Sequence, residues 1–229
     1  MTLDYGFPVE VIRTGRTKSA SIELDGEKVK VTVPSNLSDQ RIKTLIQQKT
    51  VWIKQKLQLQ RESSPVKPKE YVSGETFQYL GKNYRLKRLS GPSEGVKMKS
   101  GYLVITASEG ASNDSVRASL EGWYKRLALS KLTEKTHRYA AFIGLEVGQV
   151  TVRDFKARWG SCYLSGDIAY NWRIIMAPQK VIDYVVVHEL CHLLEHNHSS
   201  KYWKHVEAVA RDYKECREWL KLYGSSLVV

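Results

Sequence analysis

Residues 181–203 read VIDYVVVHELCHLLEHNHSSKYW, and the stretch His188-Glu189-Leu190-Cys191-His192 within them decides how the rest is read. Two histidines four apart lie on one face of a helix, about 6 Å along its axis. Their imidazoles can converge on one ion at the zinc–nitrogen distance of about 2.0–2.1 Å. Glu189 follows the first of them, so it flanks such an ion without binding it. There it can take a proton from an activated water and deliver it to a leaving group. With six histidines in the chain, chance HExxH matches number ~0.01. The preceding apolar run, Val181–Val187, makes the helix a buried one. That is a poor home for two unpaired imidazoles and a carboxylate unless they share a task.

A hydrolytic zinc needs a third protein ligand and an open position for water. His196 and His198 are the nearby candidates. On a continued helix His196 would sit two turns beyond His188, with poor reach to an ion between the first pair. A chain leaving the helix near Asn197, a residue tolerant of left-handed geometry, would swing His198 back over the ion. Ser199 or Ser200 would then cap the next helix. His198 is therefore the expected third ligand. The spacing HExxHxxxxxH also matches that of metzincins, with Glu195 where those carry a turn glycine.

Further motifs precede the helix: Arg158-Trp159-Gly160-Ser161-Cys162, then Asn171-Trp172-Arg173, then Pro178. Together with residues 181–203, closing at Trp203, they resemble the YgjP-like metallopeptidase family. The likeness is strong over residues 150–205 and weaker over 20–225. It implies a zincin fold related to the SprT-like and WLM peptidases, which are linked to protein quality control at DNA. It implies Zn2+ held by His188, His192 and His198, Glu189 as general base, and a protein or peptide substrate. In such folds an edge strand beside the metal pairs with extended substrate. Arg158 and the strand around Asp167–Asn171 are expected to form that cleft wall, which makes Arg158 and Asn171 candidate substrate contacts. Arg158, Tyr202 and His205 are alternative donors to a developing oxyanion. Trp159, Cys162 and Cys191 read as core packing, and Cys162 is not expected as a fourth ligand because it would close the open site. Trp203 is expected to pack over the last turn of the site.

Outward from the motif, the fold class reads as α+β. A strand-rich N-terminal part with one long helix precedes a zincin-like helical part with a small antiparallel or mixed sheet. Ser19–Leu24 and Lys28–Val33 form a hairpin about Asp25-Gly26, and Pro34 ends the second strand. Ser38 caps a helix reaching Arg61, with Ile42, Leu45, Ile46, Trp52, Ile53 and Leu57 at helical spacing. A polar connection with Pro65 and Pro68 follows. Two more hairpins turn at Gly81-Lys82-Asn83 and Lys99-Ser100-Gly101. Gly110–Asn113 is the expected boundary, giving a basic region 1–112 and a metallopeptidase region 113–229, with packing as one continuous unit as the alternative. Asn113 or Asp114 caps a helix ending near Gly144. Strands at Val150–Asp154 and Asp167–Ile174, the helix opened by Pro178, and one last helix over Ser200–Leu222 complete the reading.

The chain has 229 residues, 42% of them hydrophobic and 26% charged, which excludes a disordered protein. No apolar run spans a bilayer, and MTLDYGFPVEV lacks the pattern of an export signal. Three cysteines without CxxC pairing exclude a disulfide scaffold, so the cytosol is the expected compartment. Net charge is +12, of which residues 1–110 carry +8 from 19 basic and 11 acidic groups. Lys43, Lys54, Lys56, Arg85, Lys87 and Arg88 are candidate contacts to nucleic acid in that basic half. The alternative function class is a nucleic-acid-associated binding protein with a structural or vestigial zinc. Glu189 separates the two, since a purely structural site needs no base beside its ligand.

Overall fold

The computed structural model describes residues 5–15, 19–25, 28–62, 68–92 and 95–229, and divides the chain into compact units 1–65 and 66–229. In the first unit β1 (Val9–Thr14), β2 (Ser21–Asp25) and β3 (Lys28–Pro34) form a sheet of order β1-β3-β2. The β2–β3 pair is antiparallel and β1 runs parallel to β3. α1 (Asp39–Glu62) lays Ile42, Ile46, Ile53 and Leu57 on Val29, Val31 and Val33. Those four helix positions fall four, seven and four apart, one apolar stripe. Trp52 stands outside that stripe and is exposed. The Arg13 side chain secures the helix start, donating to Ser35 O at 3.0 Å and Leu37 O at 2.7 Å and pairing with Asp39 at 2.6 Å. Sequence reading misses β1 because its residues are mostly exposed and show no alternation.

The second unit begins with β4 (Thr76–Tyr79), β5 (Lys82–Ser90), β6 (Gly95–Lys99) and β7 (Tyr102–Ala107), in the order β4-β5-β7-β6. α2 (Asn113–Ile143) follows, capped by Ser112, whose Oγ accepts from Ser115 N at 3.2 Å, and closed by Gly144 at φ 82°. The cap thus falls one residue before the expected Asn113. α2 buries Leu120, Tyr124, Ala128 and Leu132 in one core with Phe77, Leu86, Trp172 and Val186. The compact units divide at 65/66 and not at 112/113. Residues 76–107 share a core with the helices that follow, and Gly110–Asn113 is a turn and a cap rather than a linker. The hairpin β4–β5 docks by backbone, Leu80 N on Ile175 O at 2.9 Å and Gly81 N on Met176 O at 3.1 Å. Gly81, at φ 76°, is required there because a Cβ would sit 2.8 Å from Pro178 Cα.

β8 (Val150–Arg153), β9 (Gly160–Cys162) and β10 (Ile168–Asn171) make a small mixed sheet of order β8-β10-β9. A 3-10 turn, Trp172–Met176, leads to α3 (Gln179–Cys191), which opens behind Pro178. The predicted final helix is two: α4 (Ser200–Val209) and α5 (Tyr213–Tyr223). Buried positions 202, 206, 210, 213 and 216 keep helical spacing through the break, so the pattern hides it. The break sets Asp212 and Glu215 against Lys180 of α3, at 2.7 and 2.9 Å. Lys135 on α2 is buried and pairs with Asp183 on α3 at 2.6 Å, which fixes the helix carrying the histidines. Among the described residues no helix is long and apolar enough to cross a membrane.

Candidate functional site

α3 ends at Cys191, and His192 keeps helical dihedrals as the capping residue. His188 and His192 thus share one face, their rings 5.1 Å apart. Glu195 N still reaches Cys191 O at 3.0 Å, after which the chain turns back into α4, where Ser199 Oγ accepts from Tyr202 N at 3.2 Å. The reversal brings His198, and not His196, to the pair. It does so without a left-handed Asn197, since Tyr71, Leu80 and Ser100 are the non-glycine residues at positive φ among those described. One ligand atom from each of His188, His192 and His198 lies within 4.8 Å of the others.

The arrangement fits a tetrahedral cation. His188 Nε2 and His198 Nε2 stand 3.2 Å apart. Two nitrogens bound at about 2.0–2.1 Å with a tetrahedral angle would be about 3.3–3.4 Å apart. Three imidazole lone pairs gathered this closely repel unless a cation or proton lies among them. His192 Nδ1 meets Glu195 O at 3.3 Å, and a carbonyl only accepts. Nδ1 therefore carries the proton and Nε2 is free to bind. Tyr184 Oη lies 3.5 Å from His188 Nδ1, leaving the Nε2 of that ring toward His198. Burial drives the His188 pKa down to about 3, with His192, His198 and Arg217 adding to the shift. His192 and His198 are lowered too, by burial first. All three are neutral near pH 7, as metal ligands must be.

Glu189 is 5% exposed and points at the edge of β9. Burial raises its pKa to about 8, eased by the Arg158 guanidinium and by a hydrogen bond from the Cys162 N–H. Gly160 makes the approach possible, since a Cβ there would lie 2.5 Å from Glu189 Oε1. Gly160 is an ordinary strand residue, needed for space rather than for a turn. In metal-free protein the raised acid has a signed consequence. Between its ordinary pKa of 4.5 and about 8, the folded state holds a proton the unfolded state has lost. That contribution to stability is whole below 4.5 and disappears as pH rises through about 8. Urea denaturation of the metal-free protein at pH 5.5 and 8.5 is expected to show a loss at the higher pH. The loss should be smaller in Glu189→Gln; an identical loss in both would rule out this carboxyl as its source.

The three histidines and Glu189 line a cleft of about 540 Å3 with Arg158, Gly160, Cys162, Leu164, Tyr184 and Leu220. Arg158 stands on its lip, exposed. Asn171 does not belong to the lining. It is buried, with Nδ2 donating to Phe155 O at 2.8 Å and Oδ1 accepting from Arg173 N at 3.1 Å, so it fastens the loop that carries Arg158. Nor is its strand the wall: β10 is central in its sheet, and β9 is the edge beside the site. Tyr202 is fully buried and donates to His188 O at 2.9 Å, which commits its hydroxyl to holding α3. His205 lies outside the cleft lining. Trp203 stacks on His198, ring centres 5.7 Å apart, and Arg217 sits 5.0 Å over its ring. Cys162 and Trp159 line the cleft as well as packing on the core, whereas Cys191 is fully in it. Sequence reading missed Tyr184 and Arg217. Tyr184 was open to discovery, one turn before His188 on the same face, but Arg217 arrives from a separate helix.

Of the basic candidates, Lys43 and Lys54 belong to the first unit, and Arg85 and Lys87, both exposed, to the second. Arg88 faces the other side of β5 and is spent on Ala111 O at 2.7 Å. The side chain of Lys56 is outside those described.

A cage of three neutral histidines with a buried carboxylate at its side, opening on a cleft, is the equipment of a metal-dependent hydrolase. The family model described as YgjP-like, metallopeptidase domain, matches residues 18–223, and the chain belongs to that family. Its class is therefore metallopeptidase. Among solved structures, the crystal structure of the metallopeptidase zymogen of Pyrococcus abyssi abylysin is similar, with 22% identity and a TM-score of 0.35. That likeness covers 40% of this chain and 94% of the other. No curated protein matches significantly.

Proposed function

We propose that the protein is a zinc-dependent peptidase in which His188, His192 and His198 hold the ion and Glu189 is the general base. The observation that carries this reading is the cage itself, 3.2 Å between the Nε2 atoms of His188 and His198 with His192 beside them and Glu189 next in sequence. Zinc bound there supplies Lewis acidity toward the peptide carbonyl and lowers the pKa of the attacking water. Three protein ligands leave a position open, as catalytic sites do and structural ones do not. Glu189 takes the water proton and passes it to the departing amine nitrogen. Arg158 restrains the rise that burial imposes on this carboxyl, and a divalent cation beside it would favour the ionised form that a base needs. Tyr184 and the Glu195 carbonyl orient the rings of His188 and His192, fixing which nitrogen faces the ion. The free edge of β9 supports binding of extended polypeptide.

The test is hydrolysis of an unfolded protein such as β-casein by protein of measured metal content. One zinc per chain and cleavage that stops with chelator and returns with zinc are expected. Cleavage indifferent to chelator and to zinc content would reject the metal-dependent mechanism.

A further inference from the structure

β9 presents its outer edge to the cleft that holds the three histidines. Asn171 N donates to Trp159 O at 2.8 Å and Tyr163 N to Asp167 O at 2.9 Å. These two bonds fix the parity of β9. Trp159, Ser161 and Tyr163 turn their backbone groups toward β10, and Gly160 and Cys162 turn theirs outward. The Cys162 N–H meets the Glu189 carboxylate, in agreement with that parity. The outward N–H and C=O of Gly160 remain to pair with an extended chain. Antiparallel pairing gives perpendicular, slightly stronger bonds. It places the N-terminal side of the peptide toward Tyr163–Leu164 and its C-terminal side toward Arg158.

The two ends of this edge differ in chemistry. Leu164 stands on the turn after β9, 90% exposed, yet lines the cleft. Tyr163 beside it is 40% exposed. At the other end Arg158 is exposed on the lip, its guanidinium 4.6 Å over the Phe155 ring and 3.4 Å from Ser161 Oγ. Glu189 is the one acidic residue in the cleft lining, so an incoming carboxylate meets a cation with little opposition. An exposed leucine at a cleft mouth and a cation at the opposite end are complementary to one kind of peptide.

We infer that the cleft selects extended peptides with a large apolar side chain on the N-terminal side of the scissile bond and a carboxylate on its C-terminal side. This rests on the peptidase reading above. The carboxylate can be an Asp or Glu side chain or a free chain terminus, since both offer the same group to a guanidinium.

The test uses the zinc-loaded full chain on β-casein, with new termini mapped by mass spectrometry, and on quenched peptides carrying Leu or Ser before the bond and Glu, Gln or Lys after it. Each peptide is made as free acid and as C-terminal amide, which separates side-chain from terminal carboxylate. The Leu/Glu peptide is expected to exceed Ser/Glu and Leu/Lys at least tenfold in kcat/KM. Arg158→Glu should reverse the preference for Glu over Lys, and Leu164→Ser should reduce the preference for Leu to under threefold, each with zinc content unchanged. If only free acids show the charge preference, the terminus is the group read. Equal cleavage of all peptides, the reverse order of apolar and acidic groups, or variants that keep the wild-type pattern would overturn the inference while leaving the peptidase reading intact. No cleavage of casein or peptides by zinc-loaded protein would overturn both.

Discussion

Glu189→Gln is expected to lose at least ~10²-fold in kcat/KM while keeping its zinc and its fold, the lower end of what loss of a general base costs. The side chain is 5% exposed and wedged against Gly160, so a change of shape would be felt at once, and glutamine keeps the shape. Burial already pushes this carboxyl toward its neutral form, which an amide imitates. The amide oxygen can still accept from the Cys162 N–H. What glutamine cannot do is receive a proton from water. Zinc content by mass spectrometry and turnover on casein separate these roles. Near wild-type turnover in a zinc-replete variant would remove Glu189 from the mechanism.

Gly160→Ala is the second large effect. The added Cβ would lie 2.5 Å from Oε1, 2.6 Å from Cγ and 2.7 Å from Cδ of Glu189. Something must move, either Glu189 on its buried helix or the edge strand β9. Displacing a catalytic group by about 1 Å costs on the order of 10²-fold. We expect kcat to fall by about that factor with zinc affinity altered little, because the atoms nearest the new methyl group belong to Glu189 and not to the histidines. Wild-type kcat in Gly160→Ala would show that the close approach of strand and base does not matter for turnover.

The sequence discloses the centre of this molecule better than its frame. HExxH states its own geometry, because a four-residue spacing on a helix is a distance. The return of His198 was readable from a serine cap and from chain reach, although the turn is made without the left-handed Asn197 on which that reading leaned. The hairpins of the second unit were legible from their turns at Gly81 and Gly101, whereas Gly26 of the first lies outside the described residues. Three features were not. β1 is too exposed to alternate, and the break before α5 falls inside an unbroken helical pattern. The division at 65/66 falls in the polar connection that carries Pro65 and Pro68, but choosing it over 112/113 depends on which elements share a core, and neither stretch of sequence states that. At the site, Asn171 has the look of a cleft residue in sequence because it stands among cleft residues. Only the burial of its amide on the Phe155 carbonyl reveals a fastening role. Gly160 was visible as a glycine but not as the gap that Glu189 fills.

His188, His192 and His198 are expected to form an open three-histidine site. X-ray absorption spectroscopy at the zinc edge, on zinc-loaded wild type and His198→Ala, tests it directly. The account predicts three imidazole nitrogens at about 2.0–2.1 Å and one oxygen in the wild type, and two imidazoles in the variant. A sulfur at about 2.3 Å, which would recruit Cys162 and close the site, or an imidazole count that His198→Ala leaves unchanged, would contradict it.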